Sequence, residues 1–285
     1  MAVMLVPRTL ACLLLIQSFS VADELPEAGL LLDLDASKSV ELDATGRVVK
    51  WTGCSPGQPF EFSKQDEGRA EPGSGRPTLR PSVAEIGAQP ALVFLQQELV
   101  CRDEDAFDSL TTGQGHTWAA LVSVREQRVG VVDVNSFFGN LHNAGNYEGL
   151  WGCFTDDRRP WYGVRNGRSF GRFDANNPQL LAPSLEVGRY HLLVGRMQAG
   201  TGKVRLDFFV NSATPASTAE IQVSSSANPS KLAIGQERDA IEHPGHESFD
   251  GEIARLLIWQ RPLDDTELAS LVAALKKKRY RPVGP

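Results

Sequence analysis

The residues with most chemistry to offer lie between Ser136 and Asn177, SFFGNLHNAGNYEGLWGCFTDDRRPWYGVRNGRSFGRFDANN. Trp151, Trp161 and Tyr162 stand close in sequence to Arg158, Arg159, Arg165, Arg168 and Arg172. Flat aromatic faces stack on the apolar faces of sugars, and guanidinium groups donate to hydroxyls and carboxylates. Trp151, Trp161, Tyr162, Arg165 and Arg168 are therefore candidate ligand-binding residues for a glycan, an acidic one especially. The same pattern also reads as core tryptophans and arginines on the wet face of alternating strands, since tryptophan is highly buried on average. A shallow face carrying Trp161, Tyr162 and Arg165 together decides for recognition. Five buried tryptophans decide against it.

Catalytic and metal patterns are thinner. Glycoside hydrolysis needs two carboxylates about 5 to 10 Å apart across a cleft, and on one strand they share a face only at even spacing. No E-x-D-x-x-E occurs. Asp103, Glu104, Asp105 and Asp108, and the pair Asp156 and Asp157, sit in polar segments that read as solvated loops. No G-x-S-x-G elbow, Walker loop or Rossmann glycine set is present. On these grounds no catalytic residue is assigned and the chain is expected not to be an enzyme. HPGHESFD brings His243, His246, Glu247 and Asp250 together, but the Pro-Gly between the histidines argues a loop, and no metal site is assigned. Asp33, Asp35 and Asp43 are candidate oxygen donors for a structural calcium, at a spacing unlike an EF-hand. No cofactor is otherwise expected.

These residues must be positioned by strands. From Gly29 onward, short apolar runs alternate with Gly, Pro, Asn and Asp. TWAALVSVR places Trp118, Ala120, Val122 and Val124 on one face, and KVRLDFFVN does the same with Val204, Leu206, Phe208 and Val210. Period-two alternation means antiparallel strands with one dry and one wet face. Regular short strands with few helices point to a sandwich or barrel. Further strands are expected at Leu30–Leu34, Gln127–Val134, His191–Met197, Glu220–Val223, Lys231–Ile234 and Glu252–Trp259. Asn166-Gly167 reads as a tight hairpin turn, and Ser55 to Pro81 as a long surface loop. In GEIARLLIWQ both faces are largely apolar, which places this strand in the middle of the sandwich, packed on two sides. After Pro262, Asp264 and Glu267 stand in capping-box register. Leu268, Leu271, Val272 and Leu275 then form one stripe, predicting a terminal helix docked on the sandwich.

The first residues read as a secretory leader, 1–22, cut between Ala22 and Asp23: Arg8 is the only early charge and Thr9–Ile16 a short apolar run. The run is too short to span hydrocarbon. The chain is thus expected to be exported, to the periplasm, cell surface or medium, with no membrane span after leader removal. Of 285 residues, 263 follow the leader. They carry 28 Lys and Arg (29 less Arg8) against 35 Asp and Glu, net −7, which disfavours nucleic acid. Cys54, Cys101 and Cys153 remain, and one bridge plus one buried thiol is expected, the pair left open.

LLLDLDASKSVELDATGRVVKWTG, residues 30–53, resembles the opening of exported bacterial laminin G-like, concanavalin A-like jelly-roll domains, through Leu34-Asp35-Ala36, Gly46-Arg47-Val48 and Trp51. PALVF, residues 90–94, HLLVGRM and VRLDFFVN resemble later family strands, and FDGEIARLLIWQRPLDDTEL, residues 249–268, is similar to the closing strand and helix. The resemblance implies an all-β, two-sheet antiparallel jelly-roll sandwich over residues 29–280, with a docked C-terminal helix. It implies a surface or periplasmic recognition module for glycan or protein. The alternatives are a polysaccharide-active glycoside hydrolase or lyase, and a structural module of a larger surface assembly. The turn TGCSPG, residues 52–57, departs from the family's D-x-S-G-N-G.

Overall fold

The computed structural model describes residues 25–54, 57, 59–64, 75–103, 105–127, 134–143, 145–169, 173–238 and 247–279. The leader with its Ala22–Asp23 cleavage site, together with Glu104, Arg172, His243 and His246, lies outside the described residues.

The strands of the first half are β1 (Leu30–Asp35), β2 (Val40–Leu42), β3 (Val48–Thr52), β4 (Glu61–Ser63), β5 (Thr78–Val83), β6 (Gln89–Leu95), β7 (Leu99–Cys101), β8 (His116–Val124) and β9 (Asn135–Gly139). Those of the second half are β10 (His142–Asn143), β11 (Tyr147–Phe154), β12 (Pro160–Asn166), β13 (Gln179–Leu181), β14 (Tyr190–Met197), β15 (Lys203–Val210), β16 (Ser217–Gln222), β17 (Ala233–Ile234) and β18 (Asp250–Trp259). A single α-helix, α1 (Asp265–Arg279), closes the described chain. Short 3₁₀ turns occur at η1 (Ala84–Ile86) and η2 (Asp108–Leu110).

The strands form two antiparallel sheets of a jelly-roll sandwich. Sheet A runs β16-β15-β14-β8-β18-β6-β5, with β1 paired to the second half of β18 where β6 leaves it. Sheet B runs β13-β12-β11-β9-β17-β7-β4-β3-β2, with β10 beside β11. β18 is central, as its two apolar faces require. The core between the sheets holds Leu32, Leu34, Trp51, Trp118, Val122, Phe137, Phe138, Tyr162, Leu206, Phe208 and Ile258.

The expected alternation holds at the edges of sheet A, in β15 and β16, but the central strands have no wet face. Trp118, Ala120, Val122 and Val124 do face the core, yet all nine residues of β8 are buried. Leu263, just before α1, and Leu268, Leu271, Val272 and Leu275 of α1 cover the outer face of these strands, packed on Ala119, Leu192, Val194, Phe209, Leu257 and Trp259. Two further expectations are corrected. Residues 55–81 contain β4 and the start of β5. Asn166-Gly167 is no tight hairpin, because β12 pairs back to β11 and forward to β13, with twelve residues (167–178) between β12 and β13. Asn166 instead turns its amide to the Gln222 carbonyl (2.8 Å) and the Asn176 side chain.

The expected disulfide is absent: Cys54, Cys101 and Cys153 are all free thiols. Cys101 faces the inter-sheet core while Cys153 packs on the opposite, outer face of sheet B. Cys54 lies just past β3 against Ser39.

Candidate functional site

Alternation along β12 sends Trp161 and Arg165 to the outer face of sheet B and Tyr162 and Val164 into the sandwich. Trp151 and Cys153 of β11 join Trp161 outside, with Tyr147, Phe173 and Leu181 around them. The Arg165 guanidinium sits 4.4 Å from the Trp151 ring centroid, 4.5 Å from Tyr147 and 5.8 Å from Phe173. Trp161 stands edge-on to Trp151 and to Phe173, at 5.7 and 5.5 Å between centroids. The aromatic faces that would stack on a sugar are thus filled by the chain's own cation, a favourable desolvated arrangement. Burial lowers the Arg165 pKa below the ordinary guanidinium value.

Trp151 and Trp161 are each 1 % exposed, and the other three tryptophans are fully buried. Tyr162 is buried too and donates to His116 Nε2 at 2.7 Å. Arg168 alone of the five candidates is exposed, on the turn after β12. The expected stacking face is therefore corrected: Trp151, Trp161 and Arg165 do come together, but as a packed cluster, with Tyr162 on the other side of the sheet and Arg168 off its end. Loop residues such as Phe173 lie over the strand face, a covering that period-two patterning does not reveal.

A cleft opens on the outer face of sheet A instead. It is a cavity of about 340 Å³ between the β1–β2 turn, the η1–β6 segment and the C-terminal half of α1. Its apolar surface comes from Ile86, Pro90, Leu121, Ala254 and Leu275, and its polar groups from Asp35, Ser37, Lys38, Gln89 and Arg255. Size and make-up match small-molecule pockets, which run from about 300 to 1,000 Å³ with a few convergent polar groups.

A β-bulge builds this floor. Ile253 pairs with Val122 and Arg255 with Leu121, so Ala254 is an extra residue in β18. A bulge lets two consecutive side chains face one way, and here Ala254 and Arg255 both face outward while Ile253 and Leu256 face the core. Arg255 donates to both oxygens of Asp33, at 2.8 and 2.7 Å. Its Nη1 lies 3.8 Å from Asp35 Oδ2. Burial lowers the Arg255 pKa, but the Asp33 bonds and the field of both aspartates outweigh this and raise it. Asp43, third of the calcium candidates, instead caps its own turn at Thr45 and Arg47, pairs with Arg76, and is held down to about 2 chiefly by the Thr45 hydroxyl. Among the described residues no cluster of three His, Cys, Asp or Glu is placed to hold a metal.

Beside the cleft, Glu252 is buried and accepts from Tyr190 Oη (2.6 Å), Arg125 (2.8 Å) and Arg80 (3.2 Å). Glu85 of η1 accepts from the Tyr190 amide. Burial pushes Glu252 up, while the Tyr190 and Arg125 bonds and the Arg80 charge bring it below the usual carboxylate value. Burial and Glu252 hold the Tyr190 hydroxyl well above its ordinary value, so it serves as a donor. The network fastens η1, one wall of the cleft, to the sheet.

No protein-family model matches the chain, and no curated protein matches it. Solved structures do. Trypanosoma rangeli sialidase in complex with sialic acid matches 89% of the chain with a TM-score of 0.53 and 15% identity. A mutant of Trypanosoma rangeli sialidase displaying trans-sialidase activity matches 90% at 0.53 and 14%. The chain spans about a third of each sialidase, 34% of its length. At such identity the likeness is one of fold alone. It nevertheless corrects the expectation that the chain is not an enzyme: the same sandwich shape occurs within enzymes, so a missing E-x-D-x-x-E pair is no ground for excluding catalysis. What the chain shares with these proteins is an antiparallel β-sandwich.

Proposed function

We propose that the chain is an exported carbohydrate-binding sandwich, of laminin G-like kinship, whose binding site is the cleft beside α1. The cleft itself carries this reading. Leu121, Ala254, Ile86 and Pro90 offer an aliphatic surface for the C–H face of a sugar ring. Asp35, Lys38 and Gln89 offer hydroxyl partners around it. Export rests on the leader-like residues 1–22. The fold shared with sialidases, one of them bound to sialic acid, supports a carbohydrate role by analogy.

The test incubates the full chain with neutral and acidic polysaccharides and follows both retention and release of reducing ends. Retention is expected, and Gln89→Trp, which plugs the rim from an exposed position, should abolish it. Retention that survives Gln89→Trp would move the site elsewhere, and no retention on any polymer would remove the reading. Reducing ends released in the same tubes would show that the chain also cleaves what it binds.

A further inference from the structure

Resting on that reading, we infer that the cleft selects an uncharged sugar ring and rejects both its carboxylated and its amino counterparts. Two cations, Arg255 and Lys38, meet two carboxylates, Asp33 and Asp35, at the site. The site is therefore neutral before anything binds.

The four groups are not equally available. Arg255 and Asp33 are buried and committed to each other by two hydrogen bonds. Freeing Arg255 for a ligand carboxylate would strand the Asp33 charge away from water, which is costly. Asp35 keeps one oxygen engaged, since Oδ1 accepts from the Ser37 amide at 2.9 Å and the Ser37 hydroxyl at 2.6 Å. Its Oδ2 lies 3.8 Å from Arg255 Nη1, beyond hydrogen-bond reach, and is open to accept. Lys38 is exposed on the β1–β2 turn, with an ammonium that can donate, and the exposed Gln89 amide can do both.

The open set is thus one acceptor, one donor and one amide around an aliphatic floor. Two neighbouring hydroxyls satisfy it without breaking any bond already made: one donates to Asp35 Oδ2 and the other accepts from Lys38 Nζ. A ligand carboxylate gains from Lys38 and loses against Asp35, and a ligand ammonium does the reverse against Lys38 and Arg255. Because the four charges already cancel, neither sign finds a net Coulomb return for the water its charge gives up on entering the cleft, whereas a hydroxyl has no such charge to desolvate.

Matched probes isolate the charge. The full chain is titrated by ligand-observed NMR with glucose, glucuronate and glucosamine, and with galactose, galacturonate and galactosamine. At least one neutral hexose should bind, with its uronate and its amino sugar weaker by about tenfold or more. Asp35→Asn should narrow the gap to the uronate, and Lys38→Ala the gap to the amino sugar. A uronate or amino sugar that binds as tightly as its neutral partner, with binding abolished by Gln89→Trp, overturns the charge inference and leaves the cleft as the sugar site. Absence of binding by all six sugars, or binding indifferent to Gln89→Trp, overturns both. The comparison among the six sugars uses the unsubstituted chain, so it stands even where a variant fails to fold.

Discussion

His116 shows what burial does to a single titratable group in this core. Its Nδ1–H donates to the Leu110 carbonyl at 2.6 Å and its Nε2 accepts from Tyr162, a pairing that requires the neutral ring. Burial lowers its pKa to about 4. Folding depresses the value, so below about pH 6.5 the unfolded chain takes up the proton first. Stability is then complete above about pH 6.5 and falls as pH drops toward about 4, by an amount of order 3 kcal/mol. Urea titrations across this window should show that slope, and His116→Asn should flatten it; an unchanged slope in the variant would assign the acid sensitivity to carboxylates. Arg255 and Asp33 make the second residue-scale case. Arg255→Met leaves Asp33 buried without its cation and should cost about 3–5 kcal/mol, whereas Asp33→Leu with Arg255→Met should recover most of the loss. An equal loss in single and double variants would refute the charge explanation. The sequence displayed the clue to this pair: an arginine inside GEIARLLIWQ, a largely apolar run whose one other charge is Glu252. It did not display Arg255's partner, which is 222 positions away.

At the scale of elements, the terminal helix was legible down to its first hydrogen bonds. Glu267 N–H donates to Asp264 Oδ1 at 2.8 Å, and the Glu267 side chain accepts from the Asp264 amide at 3.0 Å, the reciprocal box that the spacing predicts. Arg196 adds what spacing cannot predict, donating to Asp207, to the Leu263 carbonyl and to Asp265, and so fastening the start of α1 to β14 and β15. Asp264→Ala should cost about 1 kcal/mol and Leu271→Ala, from the fully buried stripe, about 2–5 kcal/mol. Chemical denaturation of the two variants checks the order; a smaller loss for Leu271→Ala would mean that the helix is held by its cap and not by its stripe. The Asn166-Gly167 signal failed at this same scale. Both residues tolerate a turn, but Asn166 is held in β12 by partners on a distant strand and loop, so local propensity lost to tertiary bonding.

For the whole molecule, the decisive fact is that the central strands of sheet A, β14, β8 and β18, are covered on both sides. A chain ending at Pro262 would leave Leu192, Val194, Phe209, Leu257 and Trp259 uncovered, an apolar face far beyond what a soluble monomer carries singly. Such a chain should elute as aggregates in size-exclusion chromatography, or fail to accumulate, and should lose sugar retention because Leu275 is a wall of the cleft. A monomeric truncated chain with unchanged thermal unfolding would show that α1 is not part of the fold's closure.

Taken alone, the sequence determined what depends on neighbours along the chain: the period of the strands, the double-sided apolarity of β18, the helix with its cap, and hence an all-β sandwich sealed by one helix. The tertiary structure decided everything that depends on which surface meets which. Trp151, Trp161 and Arg165 share a face by strand alternation, yet packing with Tyr147 and Phe173 turns that face from a stacking platform into a filled box. Asp33 and Asp35 read as calcium donors until a bulge in β18 brings Arg255 against them. Alternation says which residues leave a sheet on the same side, but not what lies over that side. The cover is chosen by contacts between segments far apart in sequence, and the candidate site lies where that cover is incomplete.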